Sequence, residues 1–242
     1  MGPLRLRYLN TPVGVDWYDY LREQVPSIGV LYPLDEPSGT DMLDASGNGH
    51  DGTYTNAPTL AESGPVTGHT GATFNGSTQY GSAADHADMS PGTSDFSVGF
   101  WIKCSSWGPT SDFDYLFCHR GDGAAGDWEV RRYDDTGTTF HCRINSTINC
   151  SGAGGVSLAD SAWHLCGYSA DRSGNLQWYV DGATWGSPTN ISAAVAVDIS
   201  AAYTLYVARR QSGNYADATL AGCWMAPELV SATTWANLWG AA

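Results

Sequence analysis

Residues 43–60, LDASGNGHDGTYTNAPTL, gather oxygen donors and glycines in one short run. Asp44, Asn48, Asp51 and Asn56 offer side-chain oxygens, while Gly47, Gly49 and Gly52 permit positive φ beside them. Such a run is neither a helix nor a plain strand. It reads either as a loop between strands or as a built turn that aims carboxylates at a cation or at a neighbouring loop. A second kind of chemistry is carried by aromatic residues beside turn formers: Trp107 in SSWGPT, Trp128 in GDWEV, Tyr133, and Trp185 in ATWGSP. An exposed aromatic face suits the apolar side of a sugar ring, with Asp, Asn or Arg bonding the hydroxyls. The competing reading is that these rings cap a core from strand ends.

Other chemistries lack their residues. No G-x-S-x-G, H-E-x-x-H or P-loop occurs. The six cysteines (Cys104, Cys118, Cys142, Cys150, Cys166, Cys223) have no C-x-x-C spacing, which argues against zinc. Several lie in apolar runs such as FWIKC and WHLC and read as reduced, buried thiols. The RGD at residues 120–122 lies in a Gly/Asp-rich loop where it arises easily by chance, and His141 and His164 read as ordinary packing.

The elements that must position these groups follow from composition and period. The chain has 242 residues, with 11 Lys plus Arg against 25 Asp plus Glu, a formal net charge of −14. That charge repels phosphate backbones and anionic lipid, so nucleic acid and membrane surfaces are poor partners. Only five of the acids are Glu; Asp, the turn former, supplies the rest beside 29 Gly. Period-2 runs separated by turn residues dominate, as in DFSVGFWIKC with Phe96, Val98, Phe100 and Ile102 on one face, and LQWYVDG with Leu176, Trp178 and Val180. They predict antiparallel sheets with one face on a core. Asn75-Gly76 and Asp181-Gly182 predict hairpin turns.

Helices are expected at the two ends only. Asp16 caps 16–25, with Trp17, Tyr20, Leu21 and Val25 on one face and Pro26 as the stop; Ser231 caps 231–239, with Trp235, Leu238 and Trp239 inward. Residues 1–16 lack a periodic pattern and read as an extended arm, 17–27 as a lead-in helix and 28–242 as one domain. No apolar run approaches the roughly 18 residues of a membrane span, and no apolar segment of a signal peptide follows the start. The expectation is a protein made in a cytoplasm and released, if at all, by assembly or lysis.

The segments LYPLDEPSGTDMLDASGNGHDGTY, FNGSTQY, FSVGFWIK, WHLCGYSADRSGNLQWYVDG, LYVARRQSGNYADATLAG and LVSATTWANLW occur in the order seen in LamG-like jelly rolls. Across roughly residues 28–240 the chain resembles that family of the concanavalin A-like lectin/glucanase superfamily. The resemblance implies an all-β, two-sheet antiparallel jelly-roll sandwich with an N-terminal arm and short terminal helices. In relatives, D-x-S-G-N-x-x-D-G is the tight turn after the first strand, often near bound calcium, and an acidic residue precedes the last strands. Asp44, Asn48, Asp51 and Asp217 match, which implies one Ca2+ held by these four; Asx-turn closure alone is the alternative. Relatives often carry an acidic pair where this chain has Ala221-Gly222. The E-x-D-x-E motif of glycoside hydrolases in the superfamily is absent, so the chain reads as non-enzymatic.

The lead-in WYDYLREQVPSIGVLYPLDE looks like the entry to LamG-like domains of tailed-bacteriophage virion proteins, whose P-x-x-Y-W-x-L-x-E strand is partly matched by Pro26, Tyr32, Leu34 and Glu36, with Pro33 as a departure. The resulting expectation is a head-decoration or tail-associated protein on the virion surface, a homo-oligomer that also adheres to host glycans. Its arm would meet other virion proteins through Leu4, Leu6, Tyr8 and Leu9, with Arg5 and Arg7 facing acidic neighbours. A stand-alone, calcium-assisted carbohydrate-binding module is the other reading.

Overall fold

The computed structural model describes residues 16–106, 113–121, 128–132, 138–144, 148–154 and 157–242. Helix α1 (Trp17–Gln24) starts where Asp16 Oδ1 accepts the backbone N–H groups of Tyr18 (2.8 Å) and Asp19 (3.3 Å). Eight residues are too few to hold a helix in water, so docking must hold this one. Trp17, Tyr18, Tyr20, Leu21 and Val25 are all buried, each large side chain contributing on the order of 1.5–3 kcal/mol.

Sixteen strands follow among the described residues: β1 (Val30–Tyr32), β2 (Asp41–Met42), β3 (Gly52–Thr55), β4 (Thr59–Ser63), β5 (Thr70–Asn75), β6 (Tyr80–Ala83), β7 (Phe96–Lys103), β8 (Asp114–His119), β9 (Trp128–Arg132), β10 (Thr139–Ile144), β11 (Ile148–Ala153), β12 (His164–Ala170), β13 (Asn175–Val180), β14 (Ala183–Asn190), β15 (Leu205–Val207) and β16 (Asp217–Ala226). Helix α2 (Ala232–Gly240) closes the chain, capped by Ser231, whose Oγ accepts the Thr234 N–H (3.1 Å). One antiparallel sheet runs β14-β13-β12-β7-β16-β5-β4 with β1 added on β16; the other runs β11-β10-β9-β8-β15-β6-β3-β2. The all-β, two-sheet sandwich is as the sequence predicts.

Phe96, Val98, Phe100 and Ile102 lie in the core between the sheets, with Leu176, Trp178 and Val180. The opposite face of the first sheet is not solvated, contrary to the period-2 reading. Trp101, Leu165, Tyr179 and Trp224 form a second core there with Trp17, Leu21, Val25, Trp235 and Leu238 of the two helices. Trp235 stacks on Tyr179 (5.3 Å between centroids) and on Trp224 (5.4 Å), and Trp17 Nε1 donates to the Leu238 carbonyl (2.9 Å). Trp239, the third residue expected inward, is 39% exposed. A Cβ at Gly99 would lie 2.3 Å from the Trp224 indole, and one at Gly167 2.3 Å from Trp235, so both positions exclude side chains.

Two turn readings part ways. Asp181 (φ 50°) and Gly182 (φ 74°) make the expected tight hairpin between β13 and β14. Asn75-Gly76 makes none: β5 pairs with β4 and β16, whereas β6 pairs with β3 and β15 in the other sheet. The dipeptide carries the chain across the sandwich, with Asn75 Oδ1 accepting the N–H groups of Ser77 (3.1 Å) and Thr78 (3.0 Å). Gly222 (φ 52°) is the bulge at which β16 passes from pairing with β5 to pairing with β1. A Cβ there would meet the Tyr18 ring of α1 at 3.0 Å, so the docked helix and the positive φ both favour glycine. All six cysteines are buried thiols, as their apolar runs predict.

His69 fastens α1 to the sheet: Nε2 meets Asp16 Oδ2 (2.6 Å) and Nδ1 meets Asp35 Oδ2 (2.7 Å). Burial pulls the imidazole pKa down, but the two carboxylates outweigh it and raise the pKa above 6.5. Asp16 is pushed up by burial, yet its bonds to His69 and to the helix N–H groups win and lower it. A raised folded-state pKa gives stability that is full below the unfolded value and lost as pH rises through the folded one. The melting temperature of the wild type should therefore exceed that of His69→Gln by more at about pH 5.5 than at about pH 9. A gap that does not narrow with rising pH would contradict this account of the α1 anchor.

Candidate functional site

A cleft of about 240 Å³ opens where β5, β16 and β7 meet at the start of β16. Register places Thr219 beside Thr73 on one side and beside Lys103 on the other. The Thr73 and Thr219 hydroxyls are 2.7 Å apart. Ser105 and Ser106 follow β7 along the rim, and Ser161 comes in from the segment before β12, its N–H donating to the Cys104 carbonyl (2.9 Å). Asp217 completes the lining with an exposed carboxylate.

The cleft rests on a buried guanidinium. Arg132 of β9, in the other sheet, donates from Nε (2.9 Å) and Nη2 (2.7 Å) to Asp114 Oδ2. It also reaches the carbonyls of Asp217 (2.7 Å) and Ser106 (3.3 Å), so both ends of the cleft are tied to one residue. Burial pushes the Cys104 thiol up despite the opposing Arg132 charge, which leaves it a thiol and not a nucleophile near neutral pH. The lining thus carries five hydroxyl side chains, one ammonium and one carboxylate. Among the described lining residues Asp217 is the sole carboxylate.

Asp44, Asn48 and Asp51 do come together, but Asp217 does not join them. Asp44 binds the N–H of Leu31 (3.0 Å), and Leu31 lies opposite Trp224, seven residues along β16 from Asp217. That is about 23 Å of extended strand. The four residues therefore form no common cation centre. The turn instead satisfies its own oxygens. Asp44 accepts the N–H groups of Leu31, Ser46 (2.9 Å) and His50 (3.0 Å) and the Ser46 hydroxyl (2.7 Å). Asp51 accepts the Asp44 N–H (2.8 Å), and Asn48 Nδ2 donates to the carbonyls of Ile28 (3.0 Å) and Gly29 (2.9 Å).

Residues 75–232, more than half of the chain, match the Laminin_G_3 family model of the Concanavalin A-like lectin/glucanases superfamily. The chain belongs to this family. No curated protein matches it. Among solved structures it resembles the binding domain of Paraclostridial Mosquitocidal Protein 1, at a TM-score of 0.67 and 11% identity over 88% of this chain and 52% of that one. It also resembles the binding domain of Botulinum Neurotoxin DC in complex with SialylT (0.65, 12%, 88% and 51%). A structure of botulinum neurotoxin type C, whose cell entry is dependent upon interaction with two ganglioside molecules, is similar too (0.68, 11%, 90% and 52%). The chain spans about half the length of these structures, and identities this low bear on the fold alone.

Within this Laminin_G_3 domain the expected sugar-stacking rings divide. Trp128 is fully buried, packed edge-on against Phe117 (5.1 Å), with Nε1 donating to the Met89 carbonyl (2.8 Å); it is a core residue and not a ligand platform. Trp185 is half-buried against the core, over Gly154. Trp107, Tyr133 and the arm residues 4–9 lie outside the described residues. Arg120 of the RGD is buried and paired with Glu129, so its guanidinium faces inward. The half-exposed rings of Tyr80, Tyr206 and Tyr215 surround Arg209, whose guanidinium sits 4.3 Å over the Tyr80 ring and takes a face a sugar would need.

Sequence reading missed Thr73, Lys103, Ser105, Ser106, Ser161 and Thr219, since only strand order makes them neighbours. If Arg132 holds the cleft, Arg132→Met removes a buried guanidinium from the Asp114 carboxylate and should cost about 3–5 kcal/mol in urea unfolding. A loss under about 1 kcal/mol would assign the bridge to a solvated, dispensable pair.

Proposed function

We propose that this chain is a non-enzymatic, lectin-like binding module that takes an uncharged glycan in the cleft between Lys103 and Asp217. The observation that carries the reading is the lining itself: hydroxyls of Thr73, Ser105, Ser106, Ser161 and Thr219 around one donor cation and one acceptor anion. A sugar hydroxyl both donates and accepts, so it bonds to each of these groups. Lys103 and Asp217 balance within the cleft, while the chain as a whole carries −14. That field disfavours anionic sugars and selects neutral ones. The shared fold is compatible with a glycan as the class of ligand, since similar structures involve SialylT and ganglioside molecules. The preference for uncharged sugars rests on this chain's own charge and sets it apart from those sialylated ones.

Glycan-array binding followed by calorimetry tests this. Neutral glycans should bind, and Lys103→Ala and Asp217→Ala should each weaken binding about tenfold or more, the loss expected for a hydrogen bond to a charged group. Undiminished binding in both variants would remove the cleft from the function.

A second reading adds display on a virion surface, in a homo-oligomer anchored through the N-terminal arm. The docking of α1 favours it: with Trp17, Leu21 and Val25 buried on the sandwich, a segment entering at Asp16 has a fixed root. Deleting residues 1–15 should leave a folded domain that no longer joins oligomers or particles; normal assembly of the truncated chain would rule the anchor out.

A further inference from the structure

His50, His86 and Asp88 form a second cluster that neither the sugar chemistry nor the calcium motif uses. His50 Nε2 lies 2.8 Å and His86 Nδ1 3.1 Å from the same oxygen, Asp88 Oδ2. The two imidazole rings are adjacent, 3.9 Å between centroids, with their planes tilted by 34°. One ligand atom from each residue falls within 4.8 Å of the others. Tetrahedral ligands at Zn–N and Zn–O bonds of about 2.0 Å stand about 3.3 Å apart. The two distances to Asp88 Oδ2, 2.8 and 3.1 Å, are already below that spacing, and side-chain rotation alone can adjust the three groups around an ion.

The trio is held from outside. The Asp44 turn fixes the His50 backbone: Asp44 Oδ2 accepts its N–H (3.0 Å), and the Tyr32 hydroxyl donates to its carbonyl (2.7 Å). His86 and Asp88 belong to a 3-10 turn at Ala87–Met89, where the Met89 N–H returns to the His86 carbonyl (3.0 Å). Met89 is fully buried, and its carbonyl accepts Trp128 Nε1. On its other side the turn lies against Gly29, where a Cβ would come 1.8 Å from the Asp88 carbonyl oxygen. Preorganisation of this kind is what ligand sites need from their support.

We propose that His50, His86 and Asp88 bind a divalent transition-metal ion, zinc by the chemistry of its donors. Two imidazole nitrogens and one carboxylate oxygen suit zinc and not calcium, which takes six to eight oxygens. Half the His86 and Asp88 side-chain surface is open, at 51% and 45% exposure, so an ion can enter and a fourth position is left for water or an external ligand. Gly29 pairs with Met225, at the far end of β16 from Asp217, so the metal site and the glycan cleft are separate. The six thiols are buried and do not compete in the folded protein.

Calorimetric titration of the full chain with zinc chloride, after chelator treatment, tests the proposal. The result expected is one zinc per chain, a loss of at least tenfold in affinity for His86→Ala and for Asp88→Asn, and no heat with calcium chloride. Melting curves without metal should match the wild type for at least one of the two variants. Absence of zinc binding by the wild type, or equal binding by a folded variant, overturns it.

Discussion

The charge of Arg132 sits with no exposed side-chain surface between two sheets, and burying a cation there is tolerable only because each direction it points holds an acceptor. Asp114 neutralises it, and the carbonyls of Ser106 and Asp217 take further donors. Those carbonyls belong to the segment just after β7 and to the start of β16, beside Lys103 and at Asp217. The spacing of the cleft's charged groups therefore depends on an interaction made from the opposite sheet. A planar guanidinium can bridge these acceptors at once, which an ammonium cannot.

Much of the fold was legible because its signals are local. Asp16 and Ser231 cap helices that the chain indeed forms, and Asp181-Gly182 adopts the two positive φ values its residues favour. Asn75-Gly76 misled because the same dipeptide serves any tight reversal, and whether two strands pair afterwards is decided by partners far away in sequence. The covering of the first sheet on both faces was hidden for a similar reason. Trp101, Tyr179 and Trp224 occupy the positions that alternation assigns to solvent, and only the docked helices make them core.

The site was less legible than the fold. The 43–60 run was recognisable as a built turn, and it is one, but its oxygens bind its own backbone. Its consequence is to hold His50 beside a 3-10 turn that begins 36 residues later, at His86. Trp128, read as a ligand platform, supports that turn from within the core. The cleft residues are small, common hydroxyl side chains with no motif of their own. Lys103 and Asp217 line one cleft because β7 and β16 are neighbours in a sheet, a fact of topology that spacing along the chain does not carry.

The central claim is that the cleft, and not the tyrosine patch or the loop tryptophans, receives the ligand. Backbone amide chemical-shift mapping by NMR, during titration with an uncharged glycan that binds, tests it most directly. The account predicts that the largest shifts cluster at Lys103, Ser105, Ser106, Ser161, Asp217 and Thr219. Shifts concentrated instead at Tyr80, Tyr206 and Arg209, or around Trp185, with the cleft unperturbed, would contradict it.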